Sequence, residues 1–157
     1  MTALVGSRPK RLVETENARY NDKGANVIDY QNVSQLFSSY AWSMDAKDFD
    51  LFETVFSEDA SFVVSIAGTV AAGPFEGRSA LVDFIRSTTL DQRDQRRHVI
   101  TNVRLVDDGG ATAILTLLVV DDGVLTVKSC GVYDVELVEE GGKVLFSAMD
   151  LALDLGF

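Results

Sequence analysis

The sequence predicts an α+β fold in which a curved antiparallel sheet, bent into a half-barrel, packs on three helices from the N-terminal part of the chain. Three observations predict it. Helical apolar periods occur only before Gln95, and everything beyond reads as strand. The strands are separated by acidic glycine turns, Asp107-Asp108-Gly109-Gly110, Asp121-Asp122-Gly123 and Glu139-Glu140-Gly141-Gly142. Helices first and an antiparallel meander last exclude alternating βαβ units.

The first helix is carried by Val33, Leu36, Phe37, Tyr40, Ala41 and Met44, which recur at helical spacing. Asp48 caps a short second helix with apolar positions at Phe49, Leu51, Phe52, Val55 and Phe56, ended by Ser57-Glu58-Asp59. Residues 60–67 read as a strand, followed by a loop containing Gly68, Gly73 and Pro74. A third helix starts near Ser79, with Leu81, Val82, Phe84, Ile85 and Leu90 as its apolar positions. The meander comprises strands 97–106, 111–120, 125–138 and 144–153. Four long strands facing amphipathic helices bend, and the concave side either packs full or keeps a pocket. Strand 111–120 is apolar on both parities apart from Thr112 and Thr116. Cover on both faces is therefore expected, with a second copy on the convex side, as a homodimer or homotrimer.

A chain of 157 residues with 46% hydrophobic and 24% charged residues is one globular domain. Residues 1–25 are polar, mix charges and lack a period, so they are expected to form a flexible arm before a domain at 26–157. The net charge of −10 argues against a nucleic-acid partner. The short basic run Arg93, Arg96 and Arg97 reads as the solvated start of a strand. Cys130, alone, allows neither an intrachain disulfide nor a cysteine zinc site, and reads as a small buried hydrophobe. With one histidine, no calcium-loop spacing and no phosphate-binding glycine loop, no metal and no cofactor is expected. The absence of an apolar run of about 18 residues predicts no membrane partner, and the expected location is cytoplasmic.

Several strings resemble the NTF2-like superfamily, in particular its SnoaL-like group. They are Tyr40-Ala41-Trp42-Ser43-Met44-Asp45-Ala46-Lys47-Asp48-Phe49-Asp50, Phe56-Ser57-Glu58-Asp59-Ala60-Ser61-Phe62, Gly73-Pro74-Phe75-Glu76-Gly77-Arg78-Ser79-Ala80-Leu81 and Arg97-His98-Val99-Ile100-Thr101-Asn102-Val103. The resemblance implies a cone-shaped α+β barrel with a deep pocket. Members include scytalone dehydratase, bile acid 7α-dehydratase, hexachlorocyclohexane dehydrochlorinase, ketosteroid isomerase and polyketide cyclases, together with non-catalytic transport factors and dioxygenase small subunits. In the dehydratase and dehydrochlorinase branches an aspartate ending the first helix pairs with a histidine on the strand after the third helix. Asp45 and His98 occupy those positions. Tyr40 matches a tyrosine of the bile acid dehydratases, and Asp121 matches their second aspartate only approximately. The second histidine of scytalone dehydratase has no counterpart.

Elimination beta to an activating group needs a base near neutral pKa, which histidine supplies, and a carboxylate on its other ring nitrogen fixes the tautomer. The resemblance thus implies catalytic roles for His98, Asp45, Tyr40 and Asp121, with the neighbouring Asp122 the alternative to Asp121, and the aromatic residues Trp42, Phe62 and Tyr133 are expected to contact substrate. Plainer readings stand beside these: a half-exposed strand histidine, a helix-end aspartate, a core tyrosine, core aromatics and solvated turn acids. The function expected is a cofactor-independent, dehydratase-type lyase acting on a hydrophobic, oxygenated aromatic or polycyclic small molecule. An isomerase or polyketide-type cyclase using the same pocket, and a non-catalytic binding or assembly module, are the alternatives. The apolar C-terminal run from Leu151 to Phe157 is expected to complete the last strand, cover the pocket mouth or join an interface.

Overall fold

The computed structural model describes residues 27–156 apart from Asp108, so the expected N-terminal arm and Phe157 lie outside the described residues. Three helices, α1 (Tyr30–Ala46), α2 (Phe49–Glu53) and α3 (Arg78–Thr89), accompany six strands: β1 (Phe56–Ile66), β2 (Thr69–Glu76), β3 (Gln95–Leu105), β4 (Gly110–Asp121), β5 (Val124–Glu140) and β6 (Lys143–Leu153). The strands form one curved sheet in the order β2-β1-β6-β5-β4-β3. Neighbours are antiparallel except for β1 and β6, which run parallel.

Helix α1 starts where Asp29 accepts from the Asn32 amide, satisfying one of the unpaired N–H groups of the first turn. It ends at Lys47, which adopts the left-handed conformation (φ 55°) normally left to glycine. The Asp48 amide donates to Ser43 O at 2.9 Å across that turn, and Lys47 Nζ donates to Gln92 O beyond α3. The sharp exit lets Asp48 cap α2 at once, through the Leu51 amide. The two helices therefore form the expected hairpin.

The expected meander strands are present, and their turns use Asp122 and Gly123, then Gly141 and Gly142, all at positive φ. Two expectations need correction at the other end of the sheet. Chain 69–76, read as a glycine-bearing loop, is the edge strand β2. An edge position tolerates Pro74, whose missing N–H would break an interior ladder. Likewise β1 begins at Phe56, before the Ser57-Glu58-Asp59 run expected to close α2. Phe56, Ala60 and Phe62 are buried there, so this run is amphipathic sheet interrupted by an irregular register.

The core lies between α1 and the concave face. On β4 the residues Ala111, Ala113, Leu115, Leu117 and Val119 are buried, and on β5 Tyr133 and Val135. A register shift between β5 and β6 changes the parity of β6, so that Phe146 and Met149 both face inward. Phe146 packs at ring-centroid distances of 5.1 Å from Phe37, 5.6 Å from Phe56 and 6.1 Å from Tyr40. The convex face is less covered: Ile114 and Val132, cross-strand partners, are 39% and 46% exposed. Phe146 is fully buried, and truncation of such a side chain loses both transfer energy and packing. Phe146→Ala is expected to cost about 3–5 kcal/mol of stability, measured by urea unfolding. A loss under about 1 kcal/mol would contradict this packing.

Candidate active site

Two elements meet at one hydrogen-bonded carboxylate. Asp45 lies in the last turn of α1, where the helix dipole disfavours a negative charge. Its Oδ1 accepts from the His98 backbone amide at 3.0 Å, with Oδ2 at 3.2 Å, and the same Oδ1 lies 2.7 Å from His98 Nδ1. Gln95 Nε2 donates to the Asp45 carbonyl at 3.3 Å. These bonds offset the unfavourable helix-end charge and join α1 to the start of β3. The two side chains are only 16% and 10% exposed, so water competes weakly for the bond.

An acceptor at Nδ1 assigns the ring proton of neutral His98 to Nδ1 and leaves Nε2 as the lone-pair nitrogen. Nε2 has no hydrogen-bond partner among the described residues. His98 lines a cavity of about 250 Å³ enclosed by α1, α3 and the concave sheet. Its walls are mostly apolar, with Phe62, Val64 and Ile66 from β1, Leu115 and Leu117 from β4, and Leu151 and Leu153 from β6. Polar groups enter from Tyr40, His98 and Arg96, and from Thr88, Thr89 and Gln92 at the end of α3.

Tyr40 sits edge-on to the His98 ring, with centroids 6.5 Å apart, and to Tyr133 at 5.7 Å. Burial pushes its phenol up to about 12; the Tyr133 hydroxyl pulls the other way, and the negative Asp45 adds a smaller rise. Tyr133 is raised well above the ordinary phenol value, chiefly by burial. Its hydroxyl makes no hydrogen bond of good geometry among the described residues, so it acts on Tyr40 as a nearby dipole. At neutral pH the hydroxyl of Tyr40, a residue lining the cavity, is therefore protonated.

The cavity brings together Tyr40, His98 and Phe62, with Asp45 behind the imidazole. Tyr133, for which a substrate contact was expected, is fully buried against Tyr40 and is not among the residues lining the cavity. Trp42 is 69% exposed on α1, because two residues from Tyr40 turns a side chain to the far side of a helix. Asp121 lies exposed at the tip of the β4–β5 hairpin. His98 pairs with Leu117, so Asp121 is four residues further along β4, roughly 13 Å at strand rise. Neither Trp42 nor Asp121 reaches the cavity. Arg96, Gln92 and Met44, which sequence reasoning did not assign, do line it. Of the C-terminal run, Leu151 and Leu153 wall the cavity, while Leu155 is 65% exposed.

Comparison with known proteins bears on this arrangement. The SnoaL-like domain family matches residues 25–150. The chain belongs to that family. No curated relative matches it in sequence. Among solved structures it is similar to the β subunit of a putative aromatic-ring-hydroxylating dioxygenase from Novosphingobium aromaticivorans (17% identity, TM-score 0.69, covering 81% of this chain and 90% of that one). ActVI-ORFA from Streptomyces coelicolor is similar at 22% identity and TM-score 0.68, over 80% and 96% of the two chains. A Catenulispora acidiphila protein in complex with S-DNPA is similar at 23% identity and TM-score 0.67, over 79% and 92%. An NTF2-like protein with a cystatin-like fold from Novosphingobium aromaticivorans matches at 17% identity and TM-score 0.62, over 80% and 81%. At these identities the likeness establishes the NTF2-like fold, a half-barrel of α+β class. No described helix is long and apolar enough to cross a membrane, and the described residues contain no group of three or more His, Cys, Asp or Glu able to hold a metal ion.

The raised Tyr40 phenol has a consequence for stability. An unfolded tyrosine releases its proton near 10, whereas folded Tyr40 holds it to about 12, so the unfolded chain loses protons first and stability falls as pH rises through that window. Tyr40 is expected to account for about 2 kcal/mol of stability lost between about pH 9 and about pH 11.5. Urea unfolding of the wild type and Tyr40→Phe at both pH values checks this, since the variant's alkaline loss should be smaller by that amount. Equal losses in the two proteins would refute it.

Proposed function

We propose that the chain is a cofactor-independent acid–base enzyme of the lyase or isomerase class, acting on an apolar, oxygenated small molecule in the cavity bounded by His98. The observation that carries this reading is the 2.7 Å contact of His98 Nδ1 with Asp45, which leaves the opposite ring nitrogen available at a largely apolar cavity. A binding module needs no such oriented base.

In this reading His98 Nε2 takes a proton from a carbon next to a carbonyl. The C–H electron pair moves into the adjoining bond, and the negative charge develops on the carbonyl oxygen. Tyr40 donates a hydrogen bond to that oxygen, in surroundings dry enough to strengthen it. Asp45 stabilises the imidazolium without taking its proton. The electron pair then either expels a leaving group beta to the carbonyl, which departs with the proton held on His98, or accepts that proton at another carbon.

The exposure of Asp121 at a hairpin tip favours a division of labour in which His98 both takes and returns the proton. Among the described residues no carboxylate lines the cavity. That gives isomerisation, or elimination from one face of the substrate, equal standing with dehydration assisted by a second acid. The mass of the product separates the outcomes: loss of water for a dehydratase, unchanged mass for an isomerase or cyclase.

The test is turnover of a panel of polycyclic β-hydroxyketones and enones in deuterium oxide, followed by mass spectrometry for water loss and for deuterium incorporation. His98→Ala is expected to lower the rate by about 10²–10⁴-fold, the usual contribution of a positioned base, with an unchanged circular dichroism spectrum. A folded His98→Ala protein retaining the wild-type rate would overturn the proposal.

A further inference from the structure

The size of the cavity limits the molecules that the acid–base pair can reach. Its volume is about 250 Å³. A dry protein cavity of about 150 Å³ holds one benzene, and the ratio of the two volumes scales six ring carbons to about ten. Ten carbons make two fused rings. A third ring needs space that the walls do not enclose.

The walls differ in how they are held. Strands β1, β4 and β6 each have a neighbour on both sides, and α1 is fixed to β3 through Asp45. The remaining wall is formed by α3 and by the edge strand β2, which contributes Ala71 and Ala72. Of the aromatic residues lining the cavity among the described residues, Tyr40 and Phe62 are buried, whereas Phe84 on α3 is half-buried. Phe84 stacks on Phe75 of β2, with ring centroids 4.1 Å apart and planes 22° from parallel. This stacked pair joins the helix to the edge strand, and such pairs are favourable beyond the area they bury.

The pairing of β1 with β2 places Phe75 for that contact. Phe62 pairs with Phe75 and Val64 with Ala72, so a step of two residues on β1 spans a step of three on β2. The extra residue lets both Ala72 and Phe75 share the face of Phe62 and Val64, which line the cavity. Gly73 lies in this bulge at φ 87°, where an added Cβ would stand 2.6 Å from the Phe62 carbonyl oxygen. The bulge thus sets a small side chain, Ala72, at the cavity and a large one, Phe75, against Phe84.

We propose that the cavity selects ligands of one or two fused rings, and that Phe84, braced by Phe75, sets this limit. The inference rests on the reading of this cavity as the ligand site, and not on the chemistry assigned to His98. It narrows the substrate class from polycyclic compounds in general to oxygenated mono- and bicyclic ones. The other walls cannot yield without breaking the sheet or the α1 contact, whereas Phe84 is held at the sheet edge by side-chain stacking. Truncating its ring opens the cavity on that side and gives a third ring somewhere to lie.

The experiment is isothermal titration calorimetry with 1-tetralone and with dihydrophenanthren-1-one, which carries the same ketone ring and one further fused ring. On apolar area alone the tricyclic ketone binds more tightly, so the opposite order is diagnostic. Wild-type protein is expected to bind 1-tetralone at least about tenfold more tightly, a ratio within the range that overpacking costs. Phe84→Ala should cancel or reverse that order. Phe75→Ala, which keeps the Phe84 side chain and removes its brace, is measured alongside and should weaken the preference. In His98→Ala the preference should persist, which separates the size limit from proton transfer. Equal or tighter binding of the tricyclic ketone by the wild type, binding of neither ketone, or a preference unchanged in both phenylalanine variants would overturn the proposal.

Discussion

One carboxylate ties this molecule together. Asp45 ends a helix at the place where its charge is least welcome, and it is kept there by the backbone and the ring of a single residue on β3. The backbone bond fixes how α1 crosses the sheet. The ring bond fixes which imidazole nitrogen carries the proton of the neutral ring. Because both use the same carboxylate, the position of α1 and the tautomer of His98 are set by one interaction, and Tyr40, five residues earlier on α1, meets the His98 ring edge-on.

Around that link the cavity divides into an apolar bulk and two polar ends. At one end Tyr40 is packed on the aromatic cluster of Phe52, Phe56, Tyr133 and Phe146 and meets the His98 ring edge-on, so interlocked rings leave it little freedom. At the other lie Arg96, Gln92 and the threonines of the last turn of α3. The register shift in β6 and the positive-φ exit at Lys47 are the local irregularities that make this division possible. Both break an otherwise regular element in order to aim side chains inward or to turn the chain sharply.

Much of this was legible in the sequence, for identifiable reasons. The α1 stripe and the acidic glycine turns are local signals whose chemistry demands one backbone conformation, and they predict the helix and the hairpins. The pairing of Asp45 with His98 came from the family resemblance, since 53 residues separate them and no local period links them. What escaped depends on tertiary placement. Gly73 and Pro74 signal a loop, and only an edge position allows them in β2. Asp121 has the inward parity of its strand, but its distance along β4 carries it past the cavity. Trp42 was assigned to the pocket for being aromatic, although helical period places it opposite Tyr40. Arg96 was readable by parity from His98, two residues away, and was obscured by the basic run around it.

The central claim is that Asp45 holds neutral His98 as the Nδ1–H tautomer, the form that the proposed base role of Nε2 requires. The chain has a single histidine, so long-range proton–nitrogen correlation NMR of the neutral imidazole reports on this residue alone. The structure predicts a protonated, hydrogen-bonded Nδ1 and a lone-pair Nε2 in the wild type, with that preference lost in Asp45→Ala. A wild-type spectrum showing the proton on Nε2 would contradict the account.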